Sequence, residues 1–339
     1  MVDNMEIRRV QMTGGSSYII TLPKEWIKSV KIQKNDPVGL MTQSDGTLLV
    51  TPKIDREQTQ KIKEFDTNNI TNQDFLLRHL IGAYIAGYNS IKIKSSTRMS
   101  PNVKMTVRKF TQTTIGQEIV EETDTNILIK DLLNPAEMPF DRTIKRMHII
   151  VKGMHEDVIT AIRRNDKKLA EDVLLRDNEI DRLHWLVARQ HNIILQNVSF
   201  AEKMGITIEL STTSFLISRI IERIGDHVIR LAKNAINLAD KKIDDSLIEK
   251  LDSTSYMALD IFNKSITSFL RKDVKSANDT IELVAKLETK CKEINKFALK
   301  QKGEYIISLG YAVESIRRIG EYSADISENV INHLVGVEK

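Results

Sequence analysis

Apolar residues recur every three or four positions along most of the chain after Arg142, whereas over residues 1–53 they fall in short alternating runs. The first pattern predicts amphipathic helices and the second half-buried strands. Six long helical segments follow: Thr143–Arg164, Lys167–Asn197, Ile208–Asp240, Asp245–Arg271, Val274–Lys300 and Glu304–Leu334. Breaks fall at Asn165-Asp166, Gly205, Asp244 and Gly303. Long helices with short connections predict two antiparallel three-helix units, residues 142–240 and 241–339. The first unit is the longer, its extra residues lying around His191–Gly205.

Residues 1–53 carry short apolar runs broken by Gly14-Gly15, Asn35-Asp36-Pro37 and Asp45-Gly46. They predict strands Ile7–Met12, Tyr18–Leu22, Pro37–Gln43 and Thr47–Thr51, with a short helix Lys24–Val30 after Pro23. So few apolar residues do not close a core alone, and a homodimer is expected. Residues 66–141 mix types: helix Phe75–Tyr88, strand Ser90–Lys94, helix Pro101–Thr114, strands Gly116–Glu121 and Ile127–Lys130. They read as an α/β connector that spaces the two ends rather than as a separate ligand site. The expected fold class is mainly α, two tandem three-helix bundles preceded by a small β domain and this connector.

Composition narrows the picture. With 6 Pro and 14 Gly in 339 residues, long uninterrupted helices are free to form. The single cysteine, Cys291, excludes an intrachain disulfide and fits a reducing compartment. The start MVDNMEIRRV lacks the apolar run of a signal peptide, and no stretch has the roughly 18 apolar residues of a membrane span. A cytoplasmic location without an integral membrane segment is therefore expected. A net charge of +4 does not by itself mark a nucleic-acid binder.

Candidate chemistry lies in the helices. Glu222-Arg223-Ile224-Gly225-Asp226-His227 recurs as Arg317-Arg318-Ile319-Gly320-Glu321-Tyr322, 95 residues on (321 − 226). Glu222 and Asp226 stand one helical turn apart, where like charges repel unless something positive answers them. Asp177 and Asp181 repeat that spacing on the preceding helix. Four carboxylates on facing helices offer oxygen ligands to a hard or borderline cation, with Mg, Mn, Fe and Zn all compatible. The alternative is that they are solvated, or paired with Arg182, Arg219, Arg223 and Arg230. A second, weaker set comprises Glu282, Glu321 and Asp325, with Asn278 beside them and Arg317 in the place of Glu222. His184, three residues after Asp181, could add an imidazole, whereas His227 points away from Asp226 and reads as an interhelical contact. Gly225 frees space where two helices approach.

From Arg142 onward these motifs, Asp177-x-x-Ile180-Asp181, Glu222-Arg-Ile-Gly-Asp226-His and Arg318-Ile-Gly-Glu321-Tyr, resemble the PhoU family. The resemblance implies tandem three-helix repeats, metal held by paired acidic motifs, and a role in restraining phosphate uptake. Residues Ile7-Arg8-Arg9-Val10, Gly14-Gly15-Ser16-Ser17, Thr21-Leu22-Pro23-Lys24-Glu25-Trp26, Lys34-Asn35-Asp36 and Asp45-Gly46-Thr47 are similar to the SpoVT/AbrB family. That resemblance implies a swapped-hairpin dimer that binds DNA, with Arg8, Arg9, Lys24 and Lys28 of two chains forming a basic strip and Ser16 and Ser17 donating to phosphates. The pairing of modules resembles archaeal PhoU-like phosphate uptake regulators. It implies a non-enzymatic, DNA-binding regulator. Alternatives are an adaptor on phosphate ABC transporter subunits or a sensor kinase, with the N-terminal module only dimerising, and a carboxylate-bridged metalloenzyme, against which no Glu-x-x-His pair is present.

Overall fold

The computed structural model describes residues 6–42, 46–52, 61–68, 70, 72–241, 243–300, 303 and 305–337. Gln43, Asp45 and Glu304, which the sequence assigns to a strand, a turn and a helix start, lie outside them. The chain divides into two compact units, residues 1–59 and 60–339.

In the first unit β1 (Gln11–Thr13) pairs antiparallel with β2 (Ser17–Ile19), Thr13 opposite Ser17. The turn between them needs Gly14 and Gly15, whose φ angles of 60° and 82° suit glycine best. Helix α1 (Lys24–Ser29) follows Pro23, and β3 (Gly39–Thr42) pairs antiparallel with β4 (Leu48–Thr51). No described residue of this unit is buried. Ile7 is 87 % exposed, Tyr18 75 % and Leu40 62 %. Two small hairpins and one helical turn thus leave their apolar faces without a core of their own.

The second unit opens on a four-stranded sheet. Strands β5 (Ile62–Asp66), β6 (Ser90–Lys94), β7 (Gln117–Glu122) and β8 (Asn126–Asp131) run in the order β5-β6-β8-β7. Only β5 and β6 are parallel, joined through helix α2 (Gln73–Ile85). Helices α2 and α3 (Pro101–Thr113) bury Leu80, Tyr84, Val107 and Phe110 against Ile91, Ile93, Ile127 and Ile129 of the central strands. Sequence patterning misses β5 because Ile62-Lys63-Glu64-Phe65-Asp66 is mostly charged, as befits an edge strand that must not pair further.

Among the described residues, seven helices follow the short 3₁₀ turn Pro135–Glu137: α4 (Phe140–Arg164), α5 (Lys167–Leu174), α6 (Asp177–Gln196), α8 (Ile208–Leu238), α9 (Asp245–Arg271), α10 (Val274–Ala298) and α11 (Tyr305–Val337). An eighth, α7 (Val198–Met204), is a short insert after α6. The single helix expected over Lys167–Asn197 is broken at Leu175-Arg176. There Arg176 turns to pair with Asp157 of α4 at 2.7 Å and with Asp172 one turn back, fastening a corner that no Gly or Pro announces.

The two repeats are laid out alike. Asn165 and Lys272 end α4 and α9 in the left-handed conformation, and Asp166 and Asp273 then cap α5 and α10 by accepting from Leu169 N and Ser276 N. These equivalences run at 107 residues (273 − 166), against 95 for the last helices, so the first repeat carries 12 extra residues (107 − 95). Helix α7 accounts for most of them. One continuous core, from Ile144 to Val330, serves both repeats, with α8 and α11 packed along each other at its centre.

Candidate functional site

The break at Arg176 makes Asp177 the first residue of α6, with Asp181 one turn along. Ile180, between them, is buried against Gly225 of α8, where a Cβ would lie 2.7 Å from its Cδ1. A glycine here lets the two helices close. Closure sets Asp177 and Asp181 opposite Glu222 and Asp226, and the four acids act on one another through space. Burial, then Asp177, Glu222 and Asp226, push the Asp181 carboxyl up to about 7. Burial and Asp226 also raise Asp177, opposed by Lys233, and burial and Asp226 raise Glu222, opposed by Arg219 and Arg223.

None of the four acids forms an ion pair among the described residues. Arg219, Arg223 and Arg230 are exposed on the flank of α8, and the guanidinium of Arg223 lies over the Tyr322 ring, 5.9 Å from its centroid. The sequence left open a pairing of these acids with nearby arginines; the structure shows no ion pair to any of them, and Lys233, Arg219 and Arg223 offset the acids' charge only in part and through space. The donor set, four carboxylates around a half-buried seam, fits an oxygen-seeking cation. Among the described residues no three His, Cys, Asp or Glu side chains are yet gathered closely enough to hold one. The acids form an electrostatic cluster rather than a finished coordination shell.

In the second repeat the structure redraws the expected set. Gly320 of α11 meets Leu287 of α10 as Gly225 meets Ile180, again at a spacing of 107 on the partner helix (287 − 180). The counterparts of Asp177 and Asp181 are therefore Val284 and Glu288, not Asn278 and Glu282. Glu282 is exposed and accepts from Asn278 Nδ2 at 3.4 Å. Glu321 is bonded by both Arg317 and Arg318, and Glu314 accepts from Arg317 Nε at 2.9 Å and from Arg318 Nε at 3.0 Å. Asp325 is raised by burial and by Glu328 and Glu321, while Arg223 opposes the shift. Spacing along the chain does not fix this register; packing does, through the residue that faces the glycine.

The histidines serve packing. His184 is held 3.0 Å from Ser218 Oγ and stacks on Phe215, and burial followed by Arg219 brings it down to about 4. His227 packs its ring on Tyr322, centroids 5.6 Å apart, as the interhelical contact expected of it. Tyr322 is its own counterpart in the second repeat (322 − 227 = 95), so α8 and α11 meet about a local pseudo-twofold axis.

In the first unit Arg8 pairs with Glu6. Arg9 and Ser16 are exposed, as are Ser17 in β2 and Lys24 and Lys28 one turn apart on α1. Trp26 is half-buried, consistent with anchoring that helix.

Sequence reasoning missed how α6 is joined to the sheet. Arg189, 2 % exposed, pairs with Asp131 of β8 at 2.7 Å, donates to Tyr84 O and Tyr88 O, and lies over the Tyr84 ring. Gln190 donates to Pro135 O and Met138 O, and Asn192 to Ile85 O. An arginine set inside Leu186-Val187-Ala188-Arg189 was the available signal. A cavity of about 410 Å³ opens at the carboxyl ends of β5 and β6, lined by Thr67, Asn68, Asn72, Ser95, Arg98 and Ser100. Its hydroxyl groups bond within the fold, Thr67 to Lys94 O and Ser95 to Asn68 Oδ1.

Comparison with known proteins agrees with this geometry. The PhoU domain model matches residues 144–235 and 251–330, and the model described as antidote-toxin recognition MazE, bacterial antitoxin, matches residues 11–58. A phosphate-specific transport system accessory protein PhoU homolog of Xylella fastidiosa is 24 % identical over 201 residues, 57 % of this chain and 81 % of that one. The Caulobacter vibrioides protein of the same name is 21 % identical over 58 % of this chain and 86 % of its own. Uncharacterized protein MJ1641 of Methanocaldococcus jannaschii is 22 % identical over 60 % of this chain and 66 % of its own. The crystal structure of PhoU from Pseudomonas aeruginosa shares the fold, with a TM-score of 0.51 at 19 % identity over 58 % of this chain and 96 % of that one. PhoU from Streptococcus pneumoniae gives 0.50 at 16 %, over 58 % and 94 %. With two matched repeats spanning half of its length on a PhoU-like helical scaffold, the chain belongs to the PhoU family.

Proposed function

We propose that this chain is a dimeric DNA-binding transcriptional regulator of phosphate uptake and phosphate homeostasis, acting negatively, with a metal-binding helical sensor or docking module. The observation that carries the reading is the union of an antitoxin-like N-terminal unit, in which no described residue is buried, with a PhoU-family helical unit. Apolar side chains such as Ile7, Val10 and Tyr18 are covered when a second copy completes the N-terminal unit. Two copies double the basic set Arg8, Arg9, Lys24 and Lys28, whose charges meet DNA phosphates, with Ser16 and Ser17 as donors. The names of the bacterial relatives supply the phosphate-transport context.

Asp177, Asp181, Glu222 and Asp226 are the residues that would hold a metal ion, Fe, Zn, Mn or Mg. A bound ion supplies the positive charge the face lacks. These acids face one another between α6 and α8, where a bound ion would join the two helices, and the buried Arg189–Asp131 pair ties α6 to the sheet, so a change at the seam is felt across the helical unit. Such a change alters DNA binding only to the extent that the ligand prefers one state of the chain. The activity is non-enzymatic.

The test is an electrophoretic shift with DNA from upstream of the chain's own gene at low salt. The expected result is a shift that weakens as salt rises and is lost in Arg8→Ala with Arg9→Ala; no shift at low salt contradicts the reading. A second reading is favoured by the relatives' names alone: an adaptor that restrains a phosphate transporter or sensor kinase, its N-terminal unit only dimerising. Co-purification with transporter subunits that is unaffected by the same double substitution, without any DNA shift, would select it.

A further inference from the structure

Each repeat has the same glycine seam, α6 on α8 in the first and α10 on α11 in the second, but the two distribute charge on it in opposite ways. At the constant spacing of 95, Arg219, Glu222, Arg223 and Asp226 correspond to Glu314, Arg317, Arg318 and Glu321. Base and acid have changed places at the first two positions. In repeat one the bases stand outward and the acids line the seam. In repeat two the base turns in: the Arg317 side chain is 27 % exposed, donates to Glu314 through Nε at 2.9 Å and a terminal nitrogen at 2.7 Å, and pairs with Glu321. Glu288, the counterpart of Asp181, contributes to the field on Arg317 and pairs outward with Lys292 at 3.6 Å. Arg318 closes Glu314 and Glu321 from the exposed side. Val284 removes the oxygen that Asp177 supplies in repeat one.

We propose that Arg317 is a built-in cation that takes the place of a metal ion in the second repeat, leaving metal binding to the first. A guanidinium matches this role because it is permanently charged and its fork engages two carboxylates at once. Tethered to α11, it occupies oxygens that an ion would otherwise need. The assignment of metal to repeat one rests on the reading given above; the assignment of Arg317 rests on its own ion pairs.

The experiment counts Mn²⁺ equivalents per full-length chain by native mass spectrometry in wild type, Val284→Asp, and Val284→Asp with Arg317→Glu. The double variant is expected to bind one equivalent more than wild type, and Val284→Asp alone none more. No gain in the double variant, or an equal gain in Val284→Asp alone, overturns the proposal. The wild-type count speaks separately to repeat one: none in wild type but one in the double variant rejects the first-repeat site and upholds Arg317. Where circular dichroism shows the double variant unfolded, Arg317→Gln carries the test. Mn²⁺ is then expected to raise its melting temperature more than that of wild type, and an equal rise overturns the proposal.

Discussion

At the residue scale the chain stores its most unusual charge at Asp181. Burial and three neighbouring acids bring this carboxyl to about 7 in the folded chain, against an ordinary value near 4 when unfolded. A carboxylate that is harder to ionise when folded weakens the folded state as pH rises from about 4 to about 7, and the loss is complete above that window. Asp181→Asn removes it. In chelator-containing buffer at about pH 8 the variant should be more stable than wild type by roughly 1–2 kcal/mol after allowance for solvent screening. At about pH 3, below both values, the two should melt nearly together, since the Asp181 carboxyl is then mostly neutral in the folded and the unfolded chain alike. Thermal melts at the two pH values check this, and a variant that melts below wild type at the higher pH would show these acids to be structural partners instead.

At the scale of elements, the helices are locked to one another and to the sheet by a few buried polar contacts. Arg189 and Asp131 form the buried bond between α6 and the sheet, with burial raising Asp131 in opposition to Arg189. Arg189→Ala strands a buried carboxyl and should cost about 3–5 kcal/mol, read from urea unfolding, whereas Arg189→Met with Asp131→Leu should cost much less. Equal losses in both would mean that packing volume, not charge, holds the junction. The same junction marks the limit of what the sequence discloses. Periodicity located the long helices and the Gly225 approach because those signals are local. It missed β5, whose lysines and acids suit an edge, and joined α5 to α6, since the turn at Leu175-Arg176 is held by Asp157 on another helix. Asp177, Asp181, Glu222 and Asp226 were legible as a set because they repeat at one-turn spacing. Glu288 was not, because only the contact of Leu287 with Gly320 brings it into register.

At the scale of the whole molecule, two repeats share one core and meet through His227 and Tyr322, yet they differ in charge. Repeat one presents four acids without ion pairs, while repeat two answers its acids with Arg317 and Arg318. Among the described residues the N-terminal unit buries no side chain, the second unit has its own continuous core, and no helix is long and apolar enough to cross a membrane. The proposed function assigns each chain one metal-binding face, in repeat one, and one unit that pairs with a second copy. Its most direct test is the metal content, by inductively coupled plasma mass spectrometry, of full-length protein purified without chelators, wild type beside Asp181→Ala with Asp226→Ala. The account predicts metal in wild type at about one site per chain and its loss in the variant; metal content left unchanged by the two substitutions would contradict it.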